Sequence, residues 1–194
     1  MANKKKLKKI PRYLNEDEIN ALFGVCDNPR DSIILKMLYY FALRINELRH
    51  LKIEDIDFLK KEIVVVGKGS KVGKIPVLID ALPFFEKELK AWVKGKDPKE
   101  FVIPGNDKNG MISKRHLNRI VKKYARLAGI RKYWEIHPHT LRHSRATNLY
   151  NRGGNIELIK DFLRHARLTT TIDIYTHISS ERVRKGLNEI FQKN

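Results

Sequence analysis

Residues 137 to 143 read HPHTLRH, which places three histidines, one arginine and one proline in seven positions. Two chemistries fit such a run. His139 and His143 are four apart, the spacing with which a helix holds zinc on one face. No cysteine lies nearby, no glutamate stands between them, and the neighbouring residues are cationic, which opposes a divalent ion. The other chemistry is anion binding. His139 and Arg142 fall in the first turn of a helix opened by Pro138, where imidazole, guanidinium and the positive helix end converge. A spot built that way binds phosphate. The plainer alternative, polar helix residues each satisfied by a carbonyl, suits His143 better than it suits the pair His139 and Arg142. A second candidate pair, Arg44 and Glu47 in RINELRHL, is three apart and shares one side of a helix.

These groups need elements to hold them. YLNEDEINALFGVC predicts a helix capped by Asn15, with Ile19, Leu22, Phe23 and Cys26 on its apolar face. DNPRDSIILKMLYYFAL predicts a buried helix, apolar nearly all round. IEDIDF, EIVVVG and GKIPVLI read as three short strands, antiparallel because their joins are short, with VGKGSKVGK as a turn. DALPFFEKELKAWV reads as a helix capped by Asp80. SKRHLNRIVKKYARLAG reads as one stopped by Gly129, with Leu117, Ile120, Val121 and Tyr124 inward and Arg115, Arg119 and Lys122 outward. The stretches from 137, 155 and 179 supply further helices. The expected fold is α+β: a mostly helical single domain over residues 11–194 with a small three-stranded antiparallel sheet, preceded by a basic tail over residues 1–10.

Charge is the strongest compositional signal. The chain has 194 residues and a formal net charge of +18. The excess is uneven: five lysines and no acid lie in residues 1–9, and 19 basic residues face 7 acidic ones from residue 105 onward. A cationic half suits a long polyanion, whose condensed counterions are released on docking. No apolar run approaches the ~20 residues of a membrane span, and no signal peptide follows the basic start. The one cysteine, Cys26, can form no internal disulfide. These features point to an intracellular, DNA-associated protein without a membrane partner.

Four segments together carry a resemblance: ALRINELRHLKIEDID, VVVGKGSKVGKIPV, HTLRH and LRHARLTTTIDIYTHI, in that order. Over about residues 11 to 191 the chain resembles the catalytic domain of the tyrosine recombinases, the phage integrase and Xer-type family. The resemblance implies a catalytic set of Arg44, Lys68, His139, Arg142, His165 and Tyr175, with Glu47 and His143 supporting it from behind. Spacing alone leaves Lys68, Lys71 and Lys74 open, and the resemblance favours Lys68. Two features depart from the family pattern. Arg164 stands where glycine is frequent, and ten residues rather than the commoner nine lead from His165 to Tyr175.

The implied chemistry matches the residue types. A DNA phosphodiester repels nucleophiles and has an unstable alkoxide leaving group, so catalysis must supply positive charge and a proton. Arginine presents paired donors that match phosphate oxygens. Lys68 would protonate the departing 5′ oxygen, and His139 would take the proton of Tyr175 as it attacks phosphorus. His165 would donate a hydrogen bond to a non-bridging oxygen. The covalent link conserves the bond energy, so no metal, ATP or other cofactor is expected. The implied partners are double-stranded DNA and further copies of the chain, a homo-tetramer on DNA. Lys71, Lys74, Arg115, Arg119, Lys122, Arg145 and Arg164 are the expected phosphate contacts, with Arg152 and Arg167 as further candidates. Only MANKKKLKKI precedes the catalytic part, so the expected organisation is without the family's usual N-terminal core-binding domain, either as a minimal enzyme or as a fragment of a longer one. Rival readings are a nicking-closing activity of the type IB topoisomerase kind without specific sites, or a DNA-binding protein that no longer cuts.

Overall fold

The computed structural model describes residues 12–67 and 72–164. Helix α1 (Glu16–Gly24) starts where expected: Asn15 Oδ1 accepts the Glu18 amide at 2.8 Å, and Glu18 returns the bond to the Asn15 amide at 3.1 Å. This reciprocal pair satisfies two of the orphan donors at the helix start. Cys26, expected on the apolar face of this helix, lies just past its end and is half-buried. Helix α2 (Pro29–Tyr40) buries Ile33, Ile34, Leu35, Met37, Leu38 and Tyr39, the all-round burial its composition demands. Helix α3 (Ile45–His50) follows at once.

The sheet has the order β1-β2-β3, antiparallel throughout. Strand β1 (Ile56–Asp57) is shorter than IEDIDF suggested. Residues Ile53–Asp55 form a tight 3₁₀ turn instead, because the Asp55 carboxylate accepts the Lys52 amide at 2.8 Å. Strands β2 (Glu62–Val66) and β3 (Val72–Pro76) pair from Glu62 opposite Pro76 to Val66 opposite Val72. Their joining turn, with Lys68 and Lys71, lies outside the described residues.

Asp80 does not cap a helix. It sits in a single 3₁₀ turn, and the following helix opens with a wide π-helical stretch, Phe84–Leu89, before the short α4 (Lys90–Val93). The reason is that both Asp80 oxygens are taken by Arg145, at 2.6 and 2.8 Å. Helix α5 (Lys114–Leu127) follows the expected bounds and ends at Gly129, whose φ of +68° releases the chain in a left-handed turn. Helix α6 (Pro138–Asn151) and helix α7 (Ile156–Phe162) complete the described chain. Among the described residues no helix is long and apolar enough to cross a membrane.

Helix α6 is the central surprise. It is poor in large apolar side chains, yet every residue from Thr140 to Asn148 is buried. Its polar groups act as struts. Ser144 Oγ accepts the Leu14 amide at 2.8 Å, and Asn148 Nδ2 donates to the Tyr39 hydroxyl at 3.0 Å and to the Leu14 carbonyl at 3.3 Å. Arg145, expected at the DNA surface, is turned inward instead. Its guanidinium lies 5.4 Å from the Tyr39 ring centre and forms a two-pronged pair with Asp80.

Breaking a buried pair on one side leaves an uncompensated charge. Arg145→Ala should therefore cost about 3–5 kcal/mol in urea unfolding at pH 7. Arg145→Met combined with Asp80→Leu should recover most of that loss.

Candidate functional site

Arg44 opens α3, and its neighbours set its geometry. The Arg44 amide donates to Glu47 Oε2 at 2.7 Å while its Nη1 donates to Glu47 Oε1 at 2.6 Å. One carboxylate thus caps the helix and holds the side chain. Arg44 Nη2 donates in addition to the Arg164 carbonyl at 2.8 Å, which ties α3 to the end of α7. Glu47 is buried, and two further guanidiniums surround it. Arg164 Nη2 donates to Oε2 at 2.8 Å, and Arg142 Nη1 stands 4.0 Å from the same oxygen.

Burial alone would raise the Glu47 pKa. The charge of Arg164 and the bonds from the Arg44 amide, Arg164 and Arg44 outweigh that and hold it below the usual carboxylate range. The reverse acts on Arg142. Desolvation, then the like charges of Arg44 and Arg164, push it down to about 9 against the pull of Glu47. It remains a cation at neutral pH. Arg142 is 1% exposed, and its terminal nitrogens donate to the carbonyls of Ala42 and Leu163.

The sequence pairs Arg44 with Arg142 and His139 across about a hundred residues, and the fold brings them together. Arg44, Glu47 and His139 line one cleft of about 710 Å³ with Asn46, His50, Asn118 and His137. Val66 and Gly67, the last described residues before Lys68, line it too. His139 is exposed on this cleft. The protein around its ring lowers its pKa by desolvation, and the charge of Arg142 lowers it further, so the imidazole is neutral at pH 7 and free to accept a proton. His137 caps α6 by accepting the Thr140 amide on Nδ1 at 3.3 Å, and its ring stacks 6.4 Å from that of His139. His143 does not share this environment: it is buried, edge-on to Tyr13 at 6.4 Å.

Other expected residues divide into two groups. Arg115, Arg119 and Lys122 are exposed on α5. Lys122 reaches the cleft electrostatically, since its charge helps lower the His137 pKa after desolvation. Lys74 is exposed and bridged to Glu62 at 3.0 Å. Arg152 is exposed and paired with Glu16. Arg164, expected to face outward, is turned inward like Arg145, because the buried carboxylate of Glu47 draws its guanidinium. Lys68, Lys71, His165, Arg167 and Tyr175 lie outside the described residues. Sequence reasoning missed the capping role of His137 and the buried ring of arginines about Glu47. The first was legible as a polar residue directly before Pro138; the second had no local signal.

Comparison with known proteins gives a consistent result. The phage integrase family model matches residues 12–182. Tyrosine recombinase XerA of Pyrococcus horikoshii is 37% identical over 190 residues, covering 97% of this chain and 65% of that protein. Tyrosine recombinase XerC of Staphylococcus aureus is 36% identical over 194 residues, covering 95% and 63%. This chain therefore spans somewhat under two thirds of the length of these curated relatives. Among solved structures, XerH site-specific recombinase bound to palindromic difH substrate, a post-cleavage complex, superposes with a TM-score of 0.76 at 26% identity. It covers 95% of this chain and 55% of that one. The crystal structure of XerA recombinase gives 0.75 at 27% identity, covering 97% and 66%.

The Glu47 cluster has its own pH signature. A carboxylate held below its unfolded pKa contributes stability that is present above that unfolded value, about 4.3, and lost as pH falls through the folded one. Glu47→Gln should lower stability at pH 7 by about 3 kcal/mol, because three guanidiniums lose their counter-charge. It should also flatten the stability curve below pH 4, measured by urea unfolding across pH 2–7.

Proposed function

The chain belongs to the phage integrase family, and on that premise we propose that it cuts and rejoins double-stranded DNA at specific sites through a 3′-phosphotyrosine link. The observation that carries the reading is the cleft where Arg44 and His139 meet the base of the hairpin that leads to Lys68. A phosphodiester seated there would meet Arg44 from α3 and the positive end of α6, with Arg142 behind. Neutral His139 is suited to take the phenolic proton of Tyr175 as the oxygen attacks phosphorus. Lys68 would give its proton to the leaving 5′ oxygen, and His165 would bond a non-bridging oxygen. The roles of Lys68, His165 and Tyr175 rest on the family resemblance.

The exposed cations of α5 support DNA contact through phosphates. Asn118 on that helix lines the cleft, and Lys122 lies one turn further along. Arg115, Arg119 and Lys122 would grip the backbone beside the scissile group, setting register without reading sequence. Assembly as a homo-tetramer on DNA is part of the same reading, supported by resemblance alone.

The test mixes the protein with labelled supercoiled DNA in EDTA and looks for an adduct that survives SDS. The parent should form it and Tyr175→Phe should not. Arg44→Ala and Arg142→Ala should each slow adduct formation by about 10²-fold or more. The rate should fall on the acid side below about pH 6.5, the ordinary histidine value, because the His139 pKa is lowered. Adduct formation undiminished in Tyr175→Phe would overturn the mechanism.

A further inference from the structure

Arg164 combines three features that the proposed reaction does not by itself explain. First, it adopts φ of 55°, in the left-handed region that an L-residue avoids. Second, its half-buried side chain spends its guanidinium inside the protein, on Glu47 Oε2 and on the Phe162 carbonyl, both at 2.8 Å. Third, its aliphatic stem lies against strand β3. A Cβ added at Gly73 would stand 2.7 Å from Arg164 Cδ and 3.6 Å from Cγ. Strained backbone and a desolvated charge at one residue mark a position held by something other than stability.

The three contacts join three parts of the site. The guanidinium fixes one Glu47 oxygen, while the other holds Arg44 Nη1 at 2.6 Å. The Arg164 carbonyl accepts Arg44 Nη2 at 2.8 Å, so the residue holds Arg44 directly as well as through Glu47. The stem reaches the hairpin at Gly73, which pairs with Val65 on β2. Arg164 does not line the cleft.

We propose that Arg164 is a positioning residue, a strut that sets strands β2 and β3 against Arg44 and Glu47 and so fixes the arginine that meets the phosphate. This rests on the functional reading above. Glycine at position 73 follows from it: the strut passes where a side chain would be.

The geometry predicts non-additivity. Arg164→Gly suits the left-handed backbone and removes stem and guanidinium together. Gly73→Ala pushes the stem aside and touches neither Glu47 nor Arg44. Each single variant should slow adduct formation on supercoiled DNA in EDTA by about 10-fold to 100-fold, the scale of a misplacement near 1 Å. DNA affinity measured by gel shift should stay within about 3-fold, since the phosphate-gripping surface is unchanged. The double variant should be no slower than Arg164→Gly alone, because the added methyl then meets only Val65 Cγ2 at 3.7 Å, an ordinary van der Waals contact. Arg164→Lys, with stem and charge but no fork, should fall between parent and Arg164→Gly. The same cycle is read in urea unfolding, so that loss of rate is separated from loss of folded protein. Additive rate effects, or Arg164→Gly cutting at the parental rate, would overturn the strut while leaving the functional reading intact. A parent protein that forms no adduct would overturn the functional reading and the positioning role with it. Coupling in unfolding alone would then leave only a structural contact.

Discussion

One negative charge organises three positive ones in this protein. Glu47 is buried where a carboxylate would ordinarily be neutral, and it stays ionised because Arg44, Arg142 and Arg164 face it from three elements. The converse matters equally. Three guanidiniums this close would repel one another apart without the carboxylate; burial lowers the pKa of Arg142 first, and the like charges of Arg44 and Arg164 lower it further. The cluster keeps a net positive charge beside the cleft. It is a preorganised field into which an anion can move without the protein having to rearrange.

Helix α6 carries this arrangement into the core. Its buried polar residues bond the segment before α1, the α2 tyrosine and the turn after β3, so the helix that bears His139 and Arg142 is fixed on several sides. A purely apolar helix would pack as tightly but would leave its rotation less determined. Directional bonds at Ser144, Arg145 and Asn148 determine it, and the side chain of His139 is aimed at the cleft as a result.

The parts of the fold governed by local rules were readable in advance. Asn15, Pro138 and Gly129 marked helix ends correctly, because caps and stops act within a few residues. The sheet order followed from short joins. The shortened β1 and the early end of α1 were local misreadings, and the larger failures involved partners distant in sequence. Asp80 looked like a cap and is instead the counter-ion of Arg145, 65 residues away. Arg145 and Arg164 looked like surface cations because arginine usually is one, and only the folded positions of Asp80 and Glu47 pull them inward. The grouping of Arg44, Glu47, His139 and Arg142 was legible through resemblance and pattern. That α6 would be buried despite its polarity was not, since hydrophobic periodicity carries no record of polar side chains bonded across the fold.

The double duty of Glu47 has a consequence for which residues the position will admit. Its one carboxylate both accepts the Arg44 amide at the start of α3 and neutralises the guanidiniums. Aspartate keeps the charge, and Asp55 shows that it can reach back to a cap amide, but its carboxylate would fall a methylene short of the guanidiniums that Glu47 meets. Glutamine keeps the reach and loses the charge. Helix initiation and electrostatics therefore fall under a single selective constraint, and the cluster cannot drift toward a weaker or stronger field by small steps at that residue. Any tuning has to come from the three arginines around it, of which Arg44 lines the cleft while Arg142 and Arg164 stand behind it.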